Sequence, residues 1–160
     1  MAGAVPQQAD AGSTGGRELA TDELGAWRGL LRVHDHLTRT LDAELTSAHG
    51  LPLASYEVLL FLAGSDGGRM RMSELADSVL LSRSGVTRLV DRLQSDGLVE
   101  RVRCPEDARG LYASITDAGR RRFAEARQTH LAGIRRHFLG HYTADELRRL
   151  GQLWERILPR

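Results

Sequence analysis

Residues 73–117 constrain the fold more than any other stretch, because two short helical patterns there run straight into a β-hairpin pattern. In the second helical pattern, Val86, Leu89, Val90 and Leu93 fall at i, i+3, i+4 and i+7, one apolar stripe for burial. Ser84, Thr87, Arg88 and Asp91 repeat that spacing on the opposite face, with Arg83 in the first turn and Arg92 beside them. Hydroxyls and guanidinium forks are the groups that read base edges and grip phosphates, so this face suits a major groove. The alternative is an ordinary solvated helix face. The clustering of hydroxyls with Arg, the turn before the helix and the hairpin after it weigh against that alternative.

The hairpin consists of strand patterns at 98–103 and 111–116, separated by a polar loop, Cys104 to Gly110, that contains Pro and Gly. A seven-residue connection is longer than a tight hairpin turn and should project as a mobile tip. Helix, turn, helix and hairpin in this order spell a winged helix-turn-helix. Ser73 is the expected N-cap of the first helix, 74–79, with Leu80-Leu81-Ser82 as the turn. The second helix is expected to run to about Asp96, with Gly97 supplying a positive-φ C-terminal cap.

Read in order, Ser82-Arg83-Ser84-Gly85-Val86-Thr87-Arg88-Leu89-Val90-Asp91-Arg92-Leu93, Gly97-Leu98-Val99-Glu100-Arg101, Asp107-Ala108-Arg109-Gly110 and the run from Leu111 to Gly119 resemble the MarR family of bacterial regulators. The likeness is sharpest over about 72–119. The resemblance implies a homodimer formed by the first and last helices and bound to a pseudo-palindromic double-stranded DNA operator. It places the wing residue Arg109 in a minor groove with Asp107 bracing the loop, which agrees with the attraction of guanidinium to a narrow, strongly negative groove. The expected DNA contacts are therefore Ser82, Arg83, Ser84, Thr87, Arg88, Arg92, Asp107 and Arg109. For Asp91 and Arg92, a salt bridge that fixes the wing and a direct DNA contact carry equal weight.

Charge follows the same division. Residues 1–68 hold four Arg against nine acids, whereas 69–122 hold eleven against eight and 123–160 seven against four. The net charge of +1 excludes a bulk polycation, but the basic excess begins where the helix-turn-helix begins, as a nucleic-acid footprint would. All 22 basic residues are Arg, so every phosphate contact would come from a planar fork. A single Cys cannot form an internal disulfide, and no signal peptide or membrane span is visible, which points to the cytoplasm.

The flanks read as helices. Residues 1–20 are expected as a disordered tail, and residues 21–160 as a single domain. Within it the winged unit spans about 55–116, and dimerisation helices span about 21–49 and 117–160. Thr21 opens the first helix, Pro52 and Ser55 mark the next, and Thr116-Asp117 caps a long helical region. Thr143 to Glu146 forms a capping box that restarts the helix near the end. Apolar stripes at both ends of the chain cannot complete a core beyond the winged unit and call for a second copy. The fold class is α+β, mostly α.

Family members bind small aromatic or anionic effectors between the dimerising helices and the reading unit. The resemblance makes Trp27, His34, Tyr56 and Arg88 candidate lining residues, although core packing also accounts for Trp27 and Tyr56. Glu57 stands where urate-responsive members carry Asp. His130, His137 and His141 would share one helix face only if Gly140 does not break the helix, and His34 and His36 point to different faces. No metal site and no cofactor is expected. Cys104, near Arg101 and Arg103, is read as a passive thiol. No catalytic motif is present: there is no nucleophile elbow, phosphate-cradling Gly loop or carboxylate pair. The expected function is a homodimeric repressor released by a small molecule. The alternatives are a thiol- or metal-responsive regulator, and a winged-helix protein-interaction module that does not bind DNA.

Overall fold

The computed structural model describes residues 18–79, 82–103 and 110–158, with Arg83 described by its backbone alone. Cys104, Asp107 and Arg109 lie outside the described residues, as does most of the expected tail. The chain forms two compact units, one up to Val33 and one from His34 onward. In the first unit, the opening turns of helix α1 (Thr21–His49) leave Trp27, Leu30, Leu31 and Val33 exposed. The carboxylate of Glu23 accepts the Ala20 N–H at 2.7 Å, so Glu23 caps the start of the helix.

In the second unit, helix α2 (Leu53–Gly64) is the central rod, with Leu53, Ser55, Tyr56, Val58, Leu59 and Leu62 buried. A helix that is apolar nearly all round is expected to be largely enclosed, and of α2 only Leu60 and Gly64 are exposed. The later part of α1 lays Leu41 and Leu45 into the same core, and helix α5 (Asp117–His137) contributes Ala126, Phe123 and Ile134. Gly133 lets α5 approach α1 closely, since a Cβ there would come within 2.7 Å of both Leu41 and Glu44. Two polar links hold the pair across this seam. His49 Nε2 meets Thr129 Oγ1 at 2.8 Å, and His137 Nε2 meets Glu44 Oε1 at 2.7 Å. The expectation that the terminal helices cannot complete a core beyond the winged unit is therefore corrected for α5 and for the second half of α1, whereas helix α6 (Ala144–Trp154) has no buried residue.

Among the described residues the sheet has three strands, not two. Strand β1 (Arg69–Arg71) pairs antiparallel with β3 (Leu111–Ile115), which pairs antiparallel with β2 (Val99–Arg103), in the order β1-β3-β2. β1 runs directly into helix α3 (Met72–Ser78), whose first turn is held by the Glu74 carboxylate accepting the Arg71 N–H at 3.1 Å. This moves the helix start ahead of Ser73, which lies inside the first turn rather than capping it. The capping expectations at Thr116 and Thr143 are met: Thr116 Oγ1 accepts from Gly119 N–H at 3.0 Å, and Thr143 exchanges bonds with Glu146. Helix α5 ends at Phe138 (φ −129°), and a short 3₁₀ turn, Leu139–His141, leads toward α6.

Candidate nucleic-acid interface

Helix α4 (Arg83–Ser95) carries the proposed reading face. Its start is fixed by Ser82, whose Oγ accepts the Gly85 N–H at 3.1 Å and lies 3.2 Å from Ser84 Oγ. Its inner stripe is closed to solvent, with Val86 and Val90 at 0% exposure and Leu93 at 1%. The end is locked as well. Gly97 at φ +71° lets its N–H reach Gln94 O and the Leu98 N–H reach Leu93 O. Thr116 Oγ1 then donates to Gly97 O at 2.7 Å, tying the end of α4 to the start of α5. Ser84, Thr87, Arg88, Asp91 and Arg92 consequently share the exposed side of a helix whose other side cannot shift. That is the pre-organisation a base-reading surface needs.

The tie from helix to wing runs through a residue that sequence reading did not single out. Asp91 pairs with Arg101 of β2, and the same guanidinium reaches Thr87 O at 3.4 Å. Asp91 is thus a bracing residue. The side chain of Arg92, its neighbour, has no hydrogen bond or ion pair among the described residues. The strand alternation that sets Arg101 on the α4 side of the sheet was readable, but nothing local named its partner ten residues earlier. A groove of 680 Å³ opens along this seam, lined by Arg71, Ser73, Thr87, Asp91, Arg101 and Leu111. Arg69 and Arg71 lie 5.3 and 5.7 Å from the centre of the Tyr112 ring. Both belong to β1, which the sequence reading passed over.

Of the four candidate effector residues, the three in the second unit are not brought together. His34 lines a cavity of 640 Å³ with Thr38, Asp42, Glu57, Phe61 and Val79. Tyr56 is 2% exposed and turns away from that cavity, its ring 4.5 Å from the His130 ring and 5.5 Å from that of Phe123. Arg88 sits on the exposed face of α4 and is not among the cavity's lining residues, and Trp27 is an exposed residue of the first unit. One position along α2 separates Tyr56 from Glu57, and about 100° of helical rotation puts them on different sides. Burial raises the Glu57 carboxyl above its usual range. The residue facing the cavity is therefore the acid, not the ring before it.

The histidines do not converge. His130 is half-buried beside Tyr56, with its pKa lowered by desolvation, His137 is bonded to Glu44, and His141 lies past the end of α5. Among the described residues no group of three or more His, Cys, Asp or Glu side chains could hold a metal ion. Nor is any helix there long and apolar enough to cross a membrane.

This arrangement has counterparts in known proteins. Residues 49–110 match the family model described as MarR family. AbsC, a MarR family regulator from Streptomyces coelicolor, is 35% identical and superposes with a TM-score of 0.83 over 88% of this chain and 95% of its own. Sco3205 from the same organism, whose crystal structure is in complex with DNA, is 31% identical with a TM-score of 0.84, covering 88% and 89% of the two chains. The transcriptional repressor IacR of Pseudomonas putida is 28% identical over 126 residues, 79% of this chain and 73% of its own. Together with the locked α4 and its three-stranded wing, these likenesses establish that the chain belongs to the MarR family and is a winged-helix, DNA-binding transcriptional regulator, not an enzyme.

Proposed function

We propose that the protein acts as a homodimeric repressor that seats two copies of α4 in successive major grooves of a pseudo-palindromic operator. The observation that carries this reading is the exposed row Ser84, Thr87 and Arg88 on a helix immobilised at both ends and braced to the wing. In this reading Thr87 and Arg88 contact base edges. Ser82, Arg83, Ser84 and Arg92 contact the backbone, and Asp107 and Arg109 act at the wing tip. Pairing of two copies uses the apolar side chains that α6 and the chain end leave in solvent, among them Leu153, Ile157 and Leu158. A protomer alone has no reason to keep them exposed. The repressor named among the relatives supports the sign of regulation.

Release by a small molecule is assigned to the 640 Å³ cavity, because it joins α1 and α2 to Ser78 and Val79 at the end of α3. A ligand that fits only one orientation of the helix-turn-helix would shift the spacing of the two reading helices. The test is binding of labelled DNA from the region flanking the protein's own gene. A single protected pseudo-palindrome, bound by two protomers, is the expected result. Binding as a lone protomer, or no preference over random DNA, would overturn the reading.

A further inference from the structure

Strand β1 gathers two arginines on one aromatic ring at the base of the wing. Arg71 pairs in register with Tyr112 and Arg69 with Ser114, whereas Met70 between them pairs with the buried Ala113. Residues paired in register share a sheet face and neighbours along a strand alternate, so both arginines stand on the Tyr112 side. The guanidiniums of Arg69 and Arg71 lie 5.3 and 5.7 Å from the centre of that ring, which is half-buried. An aromatic face engages the flat of a guanidinium and directs its edge donors elsewhere. Two like charges held at one ring also repel each other, and an anion placed against both offsets that repulsion. The nearby Glu74 carboxylate caps α3 by accepting the Arg71 N–H at 3.1 Å. Glu100 faces Ser114 from β2, on the far side of β3 from the arginines.

The register also fixes where the pair stands. Tyr112 is one residue inside Leu111, where β3 begins after the wing loop, so the Arg71 end of β1 is the end nearer the wing tip. Arg71 lines the 680 Å³ groove together with Thr87 of the reading face and Leu111 of the wing. A helix in the major groove and a wing in the adjoining minor groove have one sugar–phosphate strand between them, because that strand separates the two grooves. It would cross the protein at this groove.

We propose that Arg71, with Arg69 beside it on β1, grips the phosphates of that strand, and that Tyr112 is the positioning residue that holds both guanidiniums ready. Arginine forks take phosphate oxygens in pairs, and such contacts set affinity and register without reading sequence. The clamp rests on the reading that seats α4 in the major groove.

The experiment titrates the full chain over a series of salt concentrations with two duplexes, one from the region flanking its own gene and one scrambled. Arg71→Gln should weaken both duplexes alike, about tenfold, the scale of one lost charge-assisted hydrogen bond. It should also lower the slope of log affinity against log salt by about one unit for each protomer bound. Arg69→Gln should act in the same sense and less strongly. Tyr112→Leu keeps both charges and should still weaken both duplexes and lower the slope, whereas Tyr112→Phe keeps the ring and should restore both values. Melting temperatures close to that of the unmutated protein would exclude unfolding as the cause. An unchanged salt slope in Arg71→Gln would overturn the clamp, and a loss confined to the specific duplex would overturn its assignment to the backbone. Tyr112→Leu binding like the unmutated protein would overturn the positioning role. Arg88→Ala measured alongside separates the two readings. If it loses preference for the specific duplex while Arg71→Gln keeps its slope, only the clamp falls; if neither variant differs from the unmutated protein, the seating of α4 falls with it.

Discussion

Helices α4 and α6 are built on similar plans and end in opposite circumstances. Each is an amphipathic helix of about three turns with a capped start. In α4 the apolar stripe, Val86, Val90 and Leu93, is shut inside the protomer. In α6 no residue is buried, and Leu153 remains 40% exposed. The protomer buries the apolar stripe of the reading helix, whereas it covers Leu147, Leu150 and Trp154 of the last one only in part. Stability of the reading surface is an internal property of the chain, while the use of α6 depends on another surface.

The sharpest way to break this contrast is to place the same charge on both helices. Val90→Asp would bury an unpaired carboxylate in the core and should cost at least about 4 kcal/mol, enough to abolish cooperative melting. Leu153→Asp should change protomer stability by less than about 0.5 kcal/mol, as for a surface site. It should nevertheless convert dimer to monomer in sedimentation. Similar melting losses from both would mean that α6 is as much part of the protomer core as α4.

A smaller effect is expected where α5 leaves the wing. Gly119 has no room for a Cβ, because Leu98 O and Ile115 occupy the space. Gly119→Ala should cost about 1–3 kcal/mol through overpacking, measured by chemical denaturation. It should also loosen the Thr116 bond that fixes the end of α4, so operator affinity should fall with it. An unchanged denaturation midpoint would show that the two elements are free to separate.

Acidity sharpens the comparison from the core side. Desolvation lowers the pKa of His130 in the folded protein, so below about pH 6.5 the unfolded chain binds more protons than the folded one. Stability should therefore be complete above that pH and fall as the pH drops through it. His130→Phe keeps a ring against Tyr56 and should flatten the melting profile over that interval. An equally steep profile in the variant would assign the titration to another group.

The smallest effect on stability belongs to the brace. Asp91 and Arg101 are 53% and 24% exposed, so breaking their pair with Arg101→Ala should cost at most about 1 kcal/mol. The same change should lower operator affinity measurably, since it frees the wing from α4. Equal affinity would reduce the pair to a surface ion pair without consequence.

These contrasts also explain which parts of the molecule could be read from the sequence. Helix α4 was legible because its period and its Gly97 stop agree with one another, although the Ser82 cap that fixes its start was read only as part of the turn. Strand β1 was not. Arg-Met-Arg has no local reason to be extended, and it becomes a strand only by pairing with Ala113 and its neighbours, more than forty residues away. The start of α3 followed the same logic, since Glu74 caps from within the helix while Ser73 looked like the better cap. The wing brace was half legible: Asp91 stood out, but its partner is set by sheet geometry. The effector residues were the least legible. On α2, apolar nearly all round, periodicity does not distinguish a cavity face from a core face, so nothing local shows that Glu57 rather than Tyr56 lines the cavity.

The central claim is that the exposed row of α4 reads sequence, and operator binding by Arg88→Ala and Thr87→Ala tests it most directly. Affinity for the operator and for a scrambled duplex should be measured side by side, at one salt concentration, by fluorescence anisotropy. Each variant should lose about 1–3 kcal/mol of operator binding energy and much less on the scrambled duplex, with melting temperature and dimer unchanged. Undiminished operator affinity in both variants would contradict the account and take α4 out of the major groove.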